Sequence, residues 1–323
     1  MPAAKQTILR LLEQSRGVSL SGEQIAQELN ISRAAVWKAV NQLKKEGYRI
    51  EAVQNRGYRL DPDSDLLSAE GIRSRLPFNL PLFLEQSLPS TNQAAKKLAI
   101  EGAAHGTTVL ASGQTEGRGR LGRTFFSPVG AGLYMSVLLR PEIGSADAVL
   151  VTIAAAVAVC LAVEETTGIQ LGIKWVNDLL LGKKKAGGIL TEGITAFESG
   201  AVEAVVVGVG LNLTDAPFPP ELDGIACSLF GSGRPCATRN ELAAAILRHL
   251  FFFAEDFPAR SYLDEYRRRS TALGRQIEIC GQGVPPRTAR AVSVADDGGL
   301  TVRYPDGREE TLRWGEISIR PLA

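Results

Sequence analysis

The sequence predicts a mixed α and β protein in three parts: an N-terminal winged helix-turn-helix domain, a central α/β domain and a small C-terminal β-barrel. Charge is one reason: the first 60 residues carry a net charge of +5, and the remaining 263 residues carry −4. Hydrophobic periodicity is the other, because helical spacing gives way first to alternating strands and helices and then to short strands between turns. The expected domains are residues 1–62, 66–270 and 271–323.

The N-terminal domain shows the signals of three short helices followed by a hairpin. Residues 4–15 place apolar side chains at helical spacing, and Ser21 begins a capping-box sequence that starts a second helix. After a short turn at residues 30–31, Ser32 caps a third helix that Gly47 ends. Residues 48–60 then predict two strands joined by a turn that contains Gly57. Two short helices with a tight turn, followed by such a wing, indicate a winged helix-turn-helix.

A basic winged helix-turn-helix predicts DNA binding. The third helix would enter a major groove with its N-terminal residues facing base edges, and the wing would contact a phosphate. The alternative is a three-helix interaction module whose basic face is only solvated. An acidic, proline-containing linker at residues 61–65 marks the end of the domain. The candidate DNA-binding residues are Ser32, Arg33, Ala34, Lys38 and Arg56.

The central domain alternates strands and helices. Strands are expected at residues 82–84, 107–111 and 133–139, with a helix that runs from Ser90 to about residue 101. Residues 148–163 predict a buried core helix, since 16 residues fall short of a membrane span. Residues 172–181 predict one strand interrupted by a polar pair, and residues 182–190 its hairpin partner with lysines at the tip. Residues 204–212 predict a buried strand.

A glycine-arginine loop at residues 117–123 satisfies the G-x-G-x-x-G pattern. A dinucleotide site is excluded, because a proline and two glycines stand where the helix that holds the pyrophosphate should begin. The three arginines between the glycines instead predict a loop that orders over an anionic ligand, with a solvated surface turn as the alternative. The sequence contains neither a Walker loop nor a serine-nucleophile elbow.

Three further polar positions need partners or a ligand. Asn177 and Asp178 interrupt an apolar strand, and buried polar groups must be satisfied. Lys185 begins the next strand beside small residues, although a lysine run is usually a solvated turn. Asn212 ends a buried strand, which is where α/β folds place ligand sites.

Composition restricts the compartment and the metal chemistry. The chain has four cysteines without a C-x-x-C pair and only two histidines, which makes a zinc cluster very unlikely. Sparse thiols fit a reducing cytoplasm. The first 14 residues form an amphipathic pattern rather than a secretory signal. We therefore expect a cytoplasmic protein without a membrane segment.

Taken in order, these segments resemble the bacterial bifunctional biotin protein ligases that are also biotin operon repressors. The resemblance covers nearly the whole chain and rests on residues 90–92, 114–123, 174–178, 185–190, 208–212 and 315–320. This chain has Leu121 where the family often has arginine, and Val176 where it often has proline. Residues 217–229 match poorly the family loop that closes on adenine, so no adenine contact is assigned.

The resemblance implies a catalytic domain of the biotin/lipoate ligase type and an SH3-like C-terminal domain. It implies that ATP and Mg²⁺ serve as cofactors and biotin as substrate, with biotinyl-5′-AMP as the intermediate, and it assigns no protein ligand to the metal. The implied catalytic residues are Lys185, Arg118 and Asp178. The implied biotin-binding residues are Ser90, Thr91, Asn92, Gln114, Arg118, Gly119, Arg120, Lys185 and Gly188; Ser90 also reads as a helix cap. The implied ATP-binding residues are Arg118, Arg120, Arg123, Lys174, Asn177, Asn212 and Arg320.

The implied partners are the biotin carboxyl carrier protein of acetyl-CoA carboxylase, operator DNA and a second copy of the chain when the adenylate is bound. Two alternatives stay open. One is a ligase for lipoate or another acyl acid on a related fold. The other is a transcription regulator whose central domain senses a ligand without ligase activity.

Overall fold

The structure is a computed structural model that describes residues 2–141, 147–195, 202–233, 235–255, 257–281, 284–313 and 318–321. The chain divides into two compact units. The first contains Met1–Leu80 together with Ala237–Ala245, and the second contains Pro81–Cys236 and Ile246–Ala323. The three domain boundaries expected from sequence remain a prediction.

The first unit begins with three helices and a small sheet, as the sequence predicts. Its elements are α1 (Pro2–Gln14), β1 (Ser19–Leu20), α2 (Gly22–Glu28), α3 (Arg33–Lys45), β2 (Ile50–Val53), β3 (Gly57–Leu60) and α4 (Ala69–Arg73). The Ser21 capping box is confirmed, with Gln24 reaching back to the backbone of Ser21. The Ser32 cap is also confirmed, because its hydroxyl accepts a hydrogen bond from the backbone N–H of Ala35 at 3.1 Å.

The core of this unit lies between the three helices and the hairpin. Ile8, Leu12, Val36 and Leu43 are fully buried in it, which accounts for their helical spacing. The hairpin of β2 and β3 gains a third strand, in the order β1-β3-β2. The sequence did not predict β1, because two residues are too few for an alternating pattern.

The second unit is built on a large mixed sheet. Its elements are β4 (Leu82–Glu85), α5 (Thr91–Ile100), β5 (Thr108–Ala111), β6 (Gly132–Leu139), α6 (Ala148–Thr167), β7 (Gly172–Lys174), β8 (Asp178–Leu181), β9 (Lys184–Thr195), β10 (Val202–Asn212), α7 (Arg239–Glu255), which begins in the first unit, and α8 (Tyr262–Arg269). The seven strands follow the order β4-β5-β6-β10-β9-β8-β7. Pairing is antiparallel throughout except between β4 and β5.

Helices α5 and α6 cover opposite faces of the sheet. Thr191 bonds to Thr152 of α6 at 2.9 Å, whereas the neighbouring Glu192 bonds to Asn92 of α5 at 2.9 Å. Successive strand residues point to opposite faces, so the two helices must lie on opposite sides. The glycine-arginine loop opens no long helix, as expected; a 3₁₀ turn (Arg120–Gly122) occupies it before β6.

One strand prediction is wrong. Residues 172–181 form two antiparallel strands rather than one interrupted strand, with Lys174 opposite Asp178. The chain reverses at residues 175–177, where the Asn177 amide donates a hydrogen bond to the carbonyl of Ile189 at 2.8 Å. The same segment contains a cis peptide bond between Trp175 and Val176. The hairpin of β8 and β9 is confirmed.

The predicted core helix is confirmed as α6. Among the described residues, it is the one helix long and apolar enough to cross a membrane, yet 78% of its most apolar window is buried inside the fold. Such burial is what a core helix of a folded domain requires.

The C-terminal strands form a five-stranded antiparallel sheet. They are β11 (Gln276–Gly281), β12 (Val284–Val294), β13 (Leu300–Arg303), β14 (Glu309–Leu312) and β15 (Ser318–Pro321), in the order β14-β13-β12-β11-β15. No pairing joins β14 to β15 in the part of the chain that the structure describes. The sheet is therefore open, and closure into a barrel is not observed.

Candidate functional site

The predicted DNA-binding residues lie together on the first unit. Ser32, Arg33, Ala34 and Lys38 are exposed at the start of α3, and Arg56 is exposed at the tip of the hairpin. Arg33 forms only a loose ion pair with the exposed Glu23, at 3.5 Å. The basic side chains on α3 are thus accessible to a polyanion.

The sequence reasoning missed Trp37, which is 61% exposed on the same helix. Helical geometry places it one turn after Arg33, in the middle of the exposed face. The basic Arg33 and Lys38 are exposed on the same helix. Its signal in the sequence was its position between the buried Val36 and Val40.

The second unit contains a cavity of about 380 Å³ above the glycine-rich floor of the sheet. With one exception, every residue predicted to bind biotin or ATP lines it. The described lining residues include five cationic side chains and one carboxylate. This excess of positive charge favours an anionic ligand. The exception is Arg320 of β15, whose side chain lies outside the described residues. The predicted residues in the lining are Ser90, Thr91, Asn92, Gln114, Arg118, Gly119, Arg120, Arg123, Lys174, Asn177, Asp178, Lys185, Gly188 and Asn212.

The floor of the cavity requires glycine. A Cβ atom at Gly208 would lie 2.1 Å from the Asn92 side-chain oxygen, and one at Gly210 would lie 2.7 Å from the Phe125 ring. Neither side chain can move aside easily, because Asn92 is held by hydrogen bonds to Ser136 and Glu192 and Phe125 packs edge-on against Tyr134. The glycines let these side chains approach the sheet backbone.

One corner of the cavity is polar and hydrogen-bonded. The side-chain oxygen of Gln114 accepts a hydrogen bond from the backbone N–H of Thr91 at 2.9 Å, and its amide nitrogen donates to Ser127 at 2.9 Å. Ser90 occupies the N-cap position of α5 but makes no side-chain cap hydrogen bond. The Ser90 side chain therefore does not cap α5.

The glycine-arginine loop folds back on itself beside this corner. The N–H of Gly119 bonds to the carbonyl of Arg123 at 2.7 Å, and the N–H of Phe125 bonds to the carbonyl of Gly117 at 2.8 Å. Leu121 stands at the tip, 43% exposed, with a left-handed φ of 58°. Non-glycine residues rarely adopt this conformation, so the tip is strained.

Two arginines of the loop reach the sheet. Arg118 lies 3.8 Å from Glu192, and Arg120 donates to the Asn177 side chain at 3.2 Å. Burial lowers the pKa of Arg120, and the nearby Asp178 charge opposes that effect. This half-buried cation lines the cavity, where it suits an anionic ligand.

Lys185 and Asp178 face each other across β8 and β9. The Lys185 ammonium lies 2.5 Å from the Asp178 carboxylate, and both side chains are partly exposed. The backbone of Lys185 is held on its other side, since its N–H bonds to the carbonyl of Ile225 and its carbonyl accepts from Cys227. Asn212 strengthens this contact by donating to the Cys227 carbonyl at 3.1 Å.

An apolar wall that was not predicted also lines the cavity. Phe126 packs on Phe218 with ring centroids 5.9 Å apart, and Leu222 and Ile225 continue the wall. Ile225 is 59% exposed, so a flat ligand could cover it. The signal was the apolar spacing within residues 217–229, the segment to which the sequence assigned no contact.

The described residues contain no group of three or more His, Cys, Asp or Glu side chains that could hold a metal ion. Asp178 is the one carboxylate in the described cavity lining, and Lys185 already contacts it. A metal ion here would depend on ligand oxygens for most of its coordination.

Comparisons with known proteins agree with this architecture. Residues 84–212 match the biotin/lipoate A/B protein ligase family, and residues 5–59 match an HTH domain. The chain is 42% identical over 230 residues to the bifunctional ligase/repressor BirA of Bacillus subtilis, covering 70% of each protein. It is 30% identical over 304 residues to the Escherichia coli BirA, covering 93% of this chain and 92% of the relative.

A solved structure shares the fold of the second unit. The biotin protein ligase of Aquifex aeolicus, in complex with biotin and ATP, superimposes with a TM-score of 0.65 at 26% identity. The match covers 75% of this chain and 99% of that structure. The relatives are similar in sequence to this chain over most of their length, and this chain matches both the ligase and the HTH models, so it belongs to the family of bifunctional ligase/repressor BirA proteins.

Proposed function

We propose that this protein is an ATP-dependent biotin protein ligase and a biotin-responsive repressor of biotin synthesis genes, acting in the cytoplasm. The observation that supports the ligase most directly is the cavity itself, where five cations and one carboxylate stand between a polar corner and an apolar wall. The cations suit a carboxylate and phosphates, the polar corner suits a ureido ring, and the wall suits a flat base.

The first reaction joins biotin to AMP. A biotin carboxylate oxygen attacks the α-phosphorus of ATP, the bond to the bridging oxygen breaks, and pyrophosphate leaves. Phosphoryl transfer depends on positioning and on neutralising charge. Arg118, Arg120 and Arg123 lie on one loop that can close over the phosphates, and Lys185 faces them from the sheet.

The second reaction transfers biotin to a lysine of a biotin carboxyl carrier protein. The Lys185 ammonium contacts the Asp178 carboxylate at 2.5 Å. When it turns to the carboxylate and α-phosphate of the ligand, Asp178 loses its partner and becomes free to orient or deprotonate the incoming lysine amine. That amine attacks the acyl carbon of the mixed anhydride, and the bond from this carbon to the phosphate oxygen breaks. AMP leaves with that oxygen, and the amine proton passes to Asp178 or to water.

Magnesium arrives with the nucleotide. The described cavity lining offers one carboxylate, so Mg²⁺ would be held mainly by phosphate oxygens and water, with Asp178 as its only acidic protein ligand. Bound there, the ion would neutralise phosphate charge. Lys174, Asn177, Asn212 and Arg320 complete the proposed nucleotide contacts.

The polar corner favours biotin over lipoate. A site that hydrogen-bonds its substrate rejects an analogue lacking the matching groups, because its own polar atoms are then left unpaired. Thr91 and Gln114 supply such polar atoms in this corner. The dithiolane ring of lipoate offers them neither an N–H nor a C=O group. ATP–pyrophosphate exchange with biotin, lipoate and octanoate tests this directly. Exchange with biotin alone supports the proposal, whereas faster exchange with lipoate would identify the alternative ligase.

The first unit carries the repressor function. We propose that α3 enters the major groove of operator DNA, that Trp37 makes an apolar contact at its centre, and that Arg56 contacts phosphate. A homodimer forms when the adenylate is bound. Residues 190–195 of β9 pair with β10 but with no other described strand, which leaves a sheet edge on which a second chain can pair.

Gel retardation separates repressor from ligase. A duplex that the adenylate-bound protein selects from a random pool should be retained more tightly with biotin and ATP than without them. Equal retention would refute ligand-controlled repression. A regulator without ligase activity would show the same shift but no biotin-dependent pyrophosphate exchange. The C-terminal strands, which we propose close as an SH3-like domain, would border the ATP site.

A further inference from the structure

A chain of buried hydrogen bonds runs beneath the polar corner of the cavity. The Asn92 amide nitrogen donates to the carbonyl of Leu190 at 3.1 Å and to the Glu192 carboxylate at 2.9 Å. The Asn92 oxygen lies 2.6 Å from the Ser136 hydroxyl, which in turn lies 2.8 Å from the Thr91 hydroxyl. Ser136 is fully buried, and Thr91 and Asn92 are each 4% exposed.

The direction of these bonds can be assigned. Leu190 and Glu192 offer only acceptor atoms to Asn92, which fixes its amide nitrogen toward them and its oxygen toward Ser136. Glu192 stays an acceptor: burial opposes its ionisation, but hydrogen bonds from Asn92 and Lys96 hold its pKa below the usual value.

The proton of each hydroxyl follows. The Asn92 oxygen carries no proton, so the 2.6 Å contact requires the single Ser136 proton. The 2.8 Å contact between Ser136 and Thr91 must then hold the single Thr91 proton. The 3.2 Å contact from Thr91 to Gln114, the longest of the three, is left without one.

We propose that this relay makes Thr91 a hydrogen-bond acceptor toward the cavity, with Ser136 as the positioning residue that sets its polarity. The inference rests on the proposed biotin function and deepens it. Thr91 lines the cavity with its proton already committed inward, so it presents a lone pair to the ligand. The corner therefore selects a ligand with an N–H at this point, such as the ureido N–H of biotin, and disfavours one with an oxygen there.

The test compares biotin with two analogues. In each analogue a ring oxygen replaces one of the two ureido N–H groups. The readout is kcat and KM in ATP–pyrophosphate exchange. In Ser136→Ala the Thr91 proton is released from Ser136, so the hydroxyl is free to rotate between the Gln114 oxygen, 3.2 Å away, and the ligand. We expect KM for biotin to rise about tenfold, as for the loss of roughly one hydrogen bond, while kcat and KM for ATP change little. The preference for biotin over one of the two analogues should fall by a similar factor.

Thr152→Val is the matched control, because it removes a buried hydroxyl on the opposite face of the sheet, where Thr152 bonds to Thr191. It should lower the unfolding temperature comparably but leave the preference for biotin unchanged. Should Ser136→Ala fail to fold, Thr91→Val provides the second test, with a loss of the same preference expected. An unchanged preference in a folded Ser136→Ala or Thr91→Val variant would overturn the relay. Absence of biotin-dependent exchange in the wild type would refute the proposed function instead.

Discussion

Gly208→Ala tests whether the cavity floor sets the position of Asn92. The new Cβ would lie 2.1 Å from the Asn92 oxygen, about 1.3 Å inside ordinary van der Waals contact. Asn92 would have to move by roughly that distance. A shift of 1 Å breaks the 2.6 Å bond to Ser136 and the 2.9 Å bond to Glu192.

The expected effect follows from these contacts. Each hydrogen bond left unmade in a buried place costs about 1–3 kcal/mol, and overpacking costs a similar amount. We therefore expect the free energy of unfolding to fall by at least about 3 kcal/mol. Because Asn92 is linked to Thr91 through Ser136, its displacement should also disturb Thr91 in the cavity. We expect KM for biotin to rise by roughly 10–100-fold, at about 1.4 kcal/mol per tenfold change.

Gly193→Ala is the matched control, since a Cβ at Gly193 in β9 meets no atom within 4 Å. Urea unfolding gives the stability of both variants, and ATP–pyrophosphate exchange gives KM for biotin. Wild-type KM and stability in Gly208→Ala would refute the reasoning. An equal loss in Gly193→Ala would attribute the effect to strand propensity instead.

Four further predictions concern separate parts of the molecule. Lys185→Met should reduce biotin-dependent pyrophosphate release by at least about 100-fold, because the ammonium neutralises charge at the reacting phosphate. Release at the wild-type rate would remove Lys185 from the mechanism. Glu13→Ala removes a buried carboxylate that pairs with Arg16 (2.7 Å) and Arg75 (3.1 Å) and should lower the free energy of urea unfolding by about 3 kcal/mol, since both arginines keep other hydrogen bonds. Glu51→Ala breaks an exposed ion pair and should cost much less; equal costs would contradict this. Trp37→Ala should weaken binding to the selected duplex about tenfold and leave the slope of log affinity against log salt concentration unchanged, whereas Arg56→Ala, which removes a phosphate contact, should reduce that slope by about one. A changed slope in Trp37→Ala would contradict an apolar contact. Hydrogen bonds from Arg268, together with Arg269, lower the pKa of Glu265 to about 2. The stability that Glu265 contributes is therefore present above its ordinary pKa of 4.5 and is lost as the pH falls toward 2, so the difference in unfolding free energy between wild type and Glu265→Gln should vanish over that range. A difference that stays constant with pH would refute the assignment.

Local signals explain what the sequence predicted well. The caps at Ser21 and Ser32 and the apolar spacing of α1 and α3 depend on neighbours within one or two helical turns. Local signals also indicated the glycine-arginine loop and the polar residues Asn177, Asp178, Lys185 and Asn212. The roles of Ser90, Thr91, Asn92, Gln114 and Lys174 came only from the resemblance to the ligase family. The convergence of these residues in one cavity follows from the sheet order, which the sequence did not give in detail.

Contacts distant in sequence explain what was missed. Ser136 lies in an uninterrupted apolar strand, and nothing local indicates that it bonds to residues about 45 positions earlier. Phe218 and Ile225 form the cavity wall only because the segment that contains them pairs with Lys185. The reversal between β7 and β8 was hidden because two short antiparallel strands show the same apolar alternation as one long strand.

The central claim is that this cavity makes and holds biotinyl-5′-AMP. The most direct measurement incubates the purified protein with biotin and Mg-ATP, removes free ligand by rapid gel filtration and identifies what stays bound by mass spectrometry. We predict one biotinyl-5′-AMP per chain, lost when a biotin carboxyl carrier domain is added and recovered as biotin on its lysine, with no adenylate in Lys185→Met. Retention of unreacted biotin and ATP, or of no ligand at all, by the wild-type protein would contradict the account.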